Sequence, residues 1–119
     1  MQLSAFPFST ILFDLDGTLV DSAPDVLEAI AAVLRDAGDP VPRMELSIIG
    51  PPLEGIFREV CPDADNAKIA RHVAAFRDLY FGGPFPQSTP YPGIFALLAR
   101  LRAKGCRLFV ATHKPEAAA

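Results

Sequence analysis

Cysteine is scarce. Cys61 and Cys106 are the only two, they form no C-x-x-C pair, and they suggest no disulfide framework. Both read as reduced structural thiols of a cytoplasmic protein. No basic run interleaved with aromatic residues occurs, which removes the usual footprint of a DNA- or RNA-binding face. The longest apolar run falls far short of the roughly 20 residues that span a bilayer. Residues 1–10 lack the charged-then-apolar layout of a signal peptide. Internal repeats and low-complexity tracts are missing as well. The net charge is only -3 and half of the 119 residues are hydrophobic, a globular composition with material for one modest core. Nucleic acid and membrane are therefore not expected as partners, and oligomeric state is left open.

What is present is concentrated in residues 10–22, T-I-L-F-D-L-D-G-T-L-V-D-S. The apolar run at 10–13 predicts a short buried parallel strand. It stops at two carboxylates one residue apart, Asp14 and Asp16, followed by Gly17 and Thr18. Open α/β sheets place their chemistry at the carboxyl ends of strands, where these acids fall. The plain alternative is a strand followed by a polar D-G turn.

The string D-L-D-G-T-L-V-D-S resembles the first motif of the haloacid dehalogenase-like hydrolases, most of which are magnesium-dependent phosphatases. The resemblance implies that Asp14 is the nucleophile and Asp16 the general acid/base. The chemistry is coherent on its own terms. A carboxylate that attacks phosphorus gives an aspartyl-phosphate and splits one hard displacement into two easier ones. A neighbouring acid can protonate the leaving oxygen and later activate water. Two clustered acids repel a phosphate, so a hard divalent cation held by Asp14 and Asp16 is expected, and Mg2+ fits. Gly17 permits a tight turn and close backbone approach to the phosphoryl group, and Thr18 is assigned to phosphate binding with it.

Downstream, Ser22-Ala23-Pro24-Asp25 reads as a helix start, with Ser22 as N-cap and Asp25 at the capping-box position. Val26, Leu27, Ile30, Val33, Leu34 and Ala37 recur at helical spacing, and Gly38 is placed as the C′ residue. Residues 44–49 predict a short helical piece. Leu53, Ile56, Phe57 and Val60 mark a further helix that Pro62 stops. Asp65 or Asn66 can cap a longer one carrying Ile69, Val73, Phe76 and Tyr80, ended by Gly82-Gly83. No strand is predicted within 20–82, so these helices read as a bundle inserted into the core, a cap over the site. Residues 83–93 form a proline-rich return linker in which Pro90 and Pro92 favour extended backbone. Ile94, Leu97, Leu98 and Leu101 predict a helix ended by Gly105, and residues 106–111 a second buried strand. The expected fold is α/β, a Rossmann-like parallel sheet core with an inserted α-helical cap. Its division is 1–19 and 84–119 as partial core, and 20–83 as cap.

The second strand ends in Thr112-His113-Lys114-Pro115, at the same sheet edge as Asp14 if the strands are neighbours. Pro115 can open a helix, so loop amides would face an incoming anion. The family's second motif, a Ser or Thr closing the second core strand, implies phosphoryl binding by Thr112. Lys114 is assigned to phosphate charge or, equally, to an exposed loop. His113 and His72 are left outside the site, the latter as a structural or solvated residue. Gly50, Pro51 and Leu53 match a segment near substrate in similar proteins and also an ordinary helix corner. Pro90-Tyr91-Pro92-Gly93 followed by Ala111-Thr112-His113-Lys114-Pro115 is similar to the phosphoglycolate phosphatase and 5′-nucleotidase-like branch.

The family's third and fourth motifs, a lysine and an acidic pair completing the Mg2+ shell, have no counterpart here. Hard-cation coordination wants about six oxygens, more than Asp14 and the Asp16 carbonyl supply. The expectation is the N-terminal half of a roughly doubled chain. The implied function is Mg2+-dependent hydrolysis of a small phosphomonoester, phosphoglycolate- or nucleotide-like. The alternatives are a catalytically incomplete fragment acting by association, and a phosphomutase using the same nucleophile.

Overall fold

The computed structural model describes residues 6–82 and 89–112. Along them run β1 (Thr10–Asp14), β2 (Val20–Asp21), α1 (Ala23–Asp36), a 3-10 turn (Leu46–Ile48), α2 (Leu53–Val60), α3 (Asn66–Gly82), β3 (Thr89–Pro90), α4 (Ile94–Ala103) and β4 (Arg107–Ala111). The expected α/β class stands. The chain divides into two compact units, Met1–Ser22 with Thr89–Ala119, and Ala23–Ser88.

In the first unit β1 lies parallel to β4, with Ile11 opposite Leu108, Phe13 opposite Val110 and Asp14 opposite Ala111. Helix α4 covers one face, packing Leu97 and Leu101 with Ile11, Phe13, Cys106 and Leu108. Both strands were expected to be buried, and this is corrected by the structure. Leu12 is 66% exposed and Phe109 45%, and the Arg107 guanidinium lies 5.4 Å over the Phe109 ring. An apolar strand buries both faces only when both are layered. Here the described sheet has two strands and a helix on one side.

A second correction concerns strand β2, which pairs with β3. Val20 pairs with Pro90 and Asp21 with Thr89 in an antiparallel ribbon, although no strand was predicted within 20–82. Two residues are too few to leave an alternating pattern in sequence. Pro90 is tolerated there because an edge position needs no donor from it.

The second unit is helical. Its core joins Ala29, Ile30, Val33 and Leu34 of α1, Ile56 and Phe57 of α2, and Ile69, Phe76 and Tyr80 of α3. Phe57 is fully buried, edge-on to Phe76, which stacks on Tyr80 at 5.2 Å. The helix ends follow local chemistry. Gly38, at φ 75°, closes α1, its N–H donating to the Arg35 carbonyl and the next N–H, of Asp39, to that of Leu34. Ala37, read as a core position, is instead exposed, because the helix stops at Asp36. The 44–49 piece is a single 3-10 turn, and α2 ends at Val60, two residues before Pro62. Asp65 is the cap of α3, its Oδ1 accepting from the Lys68 N–H at 2.8 Å. Among the described residues no helix is long and apolar enough to cross a membrane.

Candidate functional site

Asp14 is the last residue of β1 and is exposed. Its pairing with Ala111 puts Thr112, the residue after β4, at the same strand-end edge. Asp14 and Thr112 are thus brought together by register, from positions 98 apart in the chain. The Leu15 N–H donates to Asp14 Oδ1 at 2.8 Å, fixing one carboxylate oxygen.

The loop after Asp14 winds round a single carbonyl. The N–H groups of Thr18, Leu19 and Val20 all donate to Leu15 O, at 3.2, 2.9 and 3.1 Å. Gly17 donates to Val20 O at 2.9 Å, and its φ of 77° is the left-handed value the turn requires. A Cβ at Gly17 would meet nothing within 4 Å, so conformation and not space demands glycine there. Leu19 is buried beneath the loop, and its carbonyl accepts from the Tyr91 N–H at 3.1 Å. Asp16, Gly17 and Thr18 are exposed. The Gly17 and Thr18 amides are spent on the loop itself, which leaves the Thr18 hydroxyl as the donor this pair offers an anion. Lys114, His113 and the expected helix start at Pro115 lie outside the described residues, as do residues 83–88 of the linker.

The loop offers carboxylates, carbonyls and hydroxyls, a set of hard oxygen donors that suits Mg2+. Asp14 and Asp16 would supply the charged ligands.

A second polar cluster, in the helical unit, was missed from sequence. Asp39 accepts from Lys68 Nζ at 2.6 Å through Oδ1, and its Oδ2 lies 2.8 Å from His72 Nε2. The Lys68 hydrogen bond, joined by that of His72, holds the Asp39 carboxyl below its usual range although burial opposes it. The same bond raises Lys68. Burial first, then the Asp39 charge, pushes the nearby Cys61 thiol up, so it is kept as the thiol and not activated as a nucleophile. His72 is 4% exposed, its ring against Phe57. No local motif could have signalled the group, because its members come from three separate stretches.

Comparison with known proteins places these features in context. The family described as haloacid dehalogenase-like hydrolase matches residues 11–119. The tyrosine-protein kinase PtkA of Mycobacterium tuberculosis is 38% identical over 108 residues, covering 89% of this chain and 36% of that protein. A phosphoglycolate phosphatase of Cupriavidus necator is 37% identical over 124 residues, covering all of this chain and 54% of that one. The solved structure of a haloacid dehalogenase-like family hydrolase from Streptococcus pneumoniae superposes with a TM-score of 0.78 at 29% identity. It covers 94% of this chain and 52% of its own. The chain thus spans about half the length, or less, of the curated relatives it matches.

Proposed function

The chain belongs to the haloacid dehalogenase-like hydrolases, and from that premise we propose that it supplies the nucleophile and phosphate-binding residues of a phosphatase. The substrate is a small phosphomonoester, phosphoglycolate- or nucleotide-like, and the route is an aspartyl-phosphate. The observation that carries this reading is the β1–β4 register, with Asp14 opposite Ala111 and Thr112 next along.

In this reading the Leu15 N–H steadies one oxygen of Asp14 and the other attacks phosphorus. Asp16 gives a proton to the departing alkoxide, then accepts one from the water that cleaves the aspartyl-phosphate. The hydroxyls of Thr112 and Thr18 hold phosphoryl oxygens, Gly17 lets the backbone approach, and Lys114 offsets phosphate charge. Mg2+, held by Asp14 and Asp16, would supply Lewis-acid relief of the repulsion between carboxylate and phosphate. The role of residues 20–83 as a cap that excludes water, and a cytoplasmic location, belong to the same proposal. The curated phosphoglycolate phosphatase relative supports the substrate class.

The test is hydrolysis of p-nitrophenyl phosphate with and without Mg2+, on the longest form of the protein that the cell makes. Asp14→Asn is expected to lose at least about a thousandfold in kcat. Asp16→Ala is expected to lose about 10²–10⁴-fold while phosphate accumulates on Asp14. Undiminished turnover in Asp14→Asn would sink the reading. The similarity to PtkA favours a second one, transfer of the same phosphoryl group to a hydroxyl acceptor instead of water. Labelled phosphate recovered on tyrosine, and not as inorganic phosphate, would select it.

A further inference from the structure

Three donors of different chemistry converge in the helical unit: the Asp39 carboxylate, the Cys61 thiol and the His72 imidazole. Their ligating atoms all lie within 4.8 Å of one another. Each is set by a fixed feature of the fold. Asp39 follows the Gly38 turn that closes α1, its N–H tied to Leu34 O at 2.9 Å. Cys61 is the C-cap of α2, its N–H bonded to Phe57 O. His72 stands in α3, buried against Phe57.

We propose that Asp39, Cys61 and His72 form a binding site for a divalent transition metal, with zinc the ion their mixed oxygen, sulfur and nitrogen donors suit best. The site is separate from the phosphatase reading and stands or falls without it. Tetrahedral zinc, with bonds of about 2.3 Å to sulfur and about 2.0 Å to nitrogen or oxygen, needs ligand atoms roughly 3.2–3.7 Å apart. Side-chain shifts on the order of 1 Å reach that arrangement. On binding, His72 Nε2 exchanges its hydrogen bond with Asp39 Oδ2 for the metal, and the Cys61 thiol releases its proton to solvent.

The surroundings fit an outer shell. Lys68 Nζ grips Asp39 Oδ1 at 2.6 Å, which leaves Oδ2 turned to His72 and holds the carboxylate in one orientation. A cleft of about 420 Å3 lined by Val33, Asp36, Lys68, Arg71 and His72 opens beside one of the three donors, His72. Carboxylate and thiolate together balance the ion's two charges, and the Asp36 carboxylate in the lining of the same cleft offsets part of the positive charge of Lys68 and Arg71. A purely structural tie between the α1 end and α3 would need only Asp39 and His72. Cys61 also packs against the helical core, yet its sulfur stands within reach of both, which that packing alone does not require.

The experiment is titration of the 119-residue chain, reduced, with Zn2+ against a chromophoric chelator, and with Co2+ as a spectroscopic probe. One equivalent of zinc is expected, and Co2+ should give a thiolate-to-metal charge-transfer band with tetrahedral ligand-field intensity. Cys61→Ser should abolish that band and weaken zinc at least tenfold. Asp39→Asn should weaken zinc similarly, while Cys106→Ser leaves both signals intact. Asp14 and Asp16 offer no thiolate, so the band separates the two sites. In the unmodified chain zinc should also protect Cys61, and not Cys106, from alkylation, a readout that needs no variant to fold. No stoichiometric binding, a band indifferent to Cys61→Ser, or alkylation of Cys61 unaffected by zinc would each overturn the proposal.

Discussion

At the scale of residues, Asp39 and Phe57 hold the helical unit in different ways. Asp39 is pulled below its usual value near 3.8, so its contribution to stability is present above that value and fades as pH falls through the lowered one. Lys68 is raised above 10.5, so its contribution is present below that value and fades as pH climbs through the raised one. Urea unfolding across pH should therefore show a plateau between about pH 4 and pH 10 with losses at both ends. Asp39→Asn should lower the plateau and flatten both edges. Phe57 makes no such use of pH. It is fully buried against Phe76 and His72, and Phe57→Ala is expected to cost about 3–5 kcal/mol in the same assay, through lost burial and the cavity left behind.

Elements are set largely by their ends. Asp65 caps α3 by accepting from the Lys68 N–H, one of the donors that a helix start leaves without a partner. Asp65→Ala should cost about 1 kcal/mol, read as a lower melting temperature with helix content intact below it. Gly38→Ala should cost about 1–2 kcal/mol, because φ 75° crowds a Cβ against its own backbone even though nothing else is near. A Gly-to-Ala change that left the melting temperature unmoved would remove this account of the α1 end. These ends were legible in the sequence: Gly38, Pro62 and Asp65 act on groups within a few residues of themselves. Strand β2 and its pairing with β3 were not legible, although Pro90 and Pro92 marked the β3 stretch as extended, since each strand is two residues long and exists only through its partner some 70 positions away.

Across the whole molecule, burial is uneven. Fourteen apolar positions of the helical unit recur at helical spacing in the sequence, and among the described residues that unit is where most of the buried side chains lie. The β1–β4 pair has one packed face and an opposite face bearing Leu12 and Phe109. Native-state hydrogen exchange should consequently find slower amides in α1 and α3 than in β1 and β4. Replacing Leu12 and Phe109 by serine should leave stability within about 0.5 kcal/mol, as exposed positions do, and reduce self-association seen by light scattering. Faster exchange in α1 than in β1 would reverse this ordering of the two units.

The sequence by itself determined the kinds and order of the long elements, the glycine at the Asp14 loop, and the carboxylates at a strand end. Each of these follows from interactions between near neighbours, or from a 3.6-residue period that any short stretch displays. Only the tertiary structure decided which strand faces stay open, that Asp14 lies opposite Ala111, and that Asp39, Cys61 and His72 meet. Those outcomes depend on how separate stretches pack. Spacing along the chain carries no record of that, because the contacts form between residues tens of positions apart.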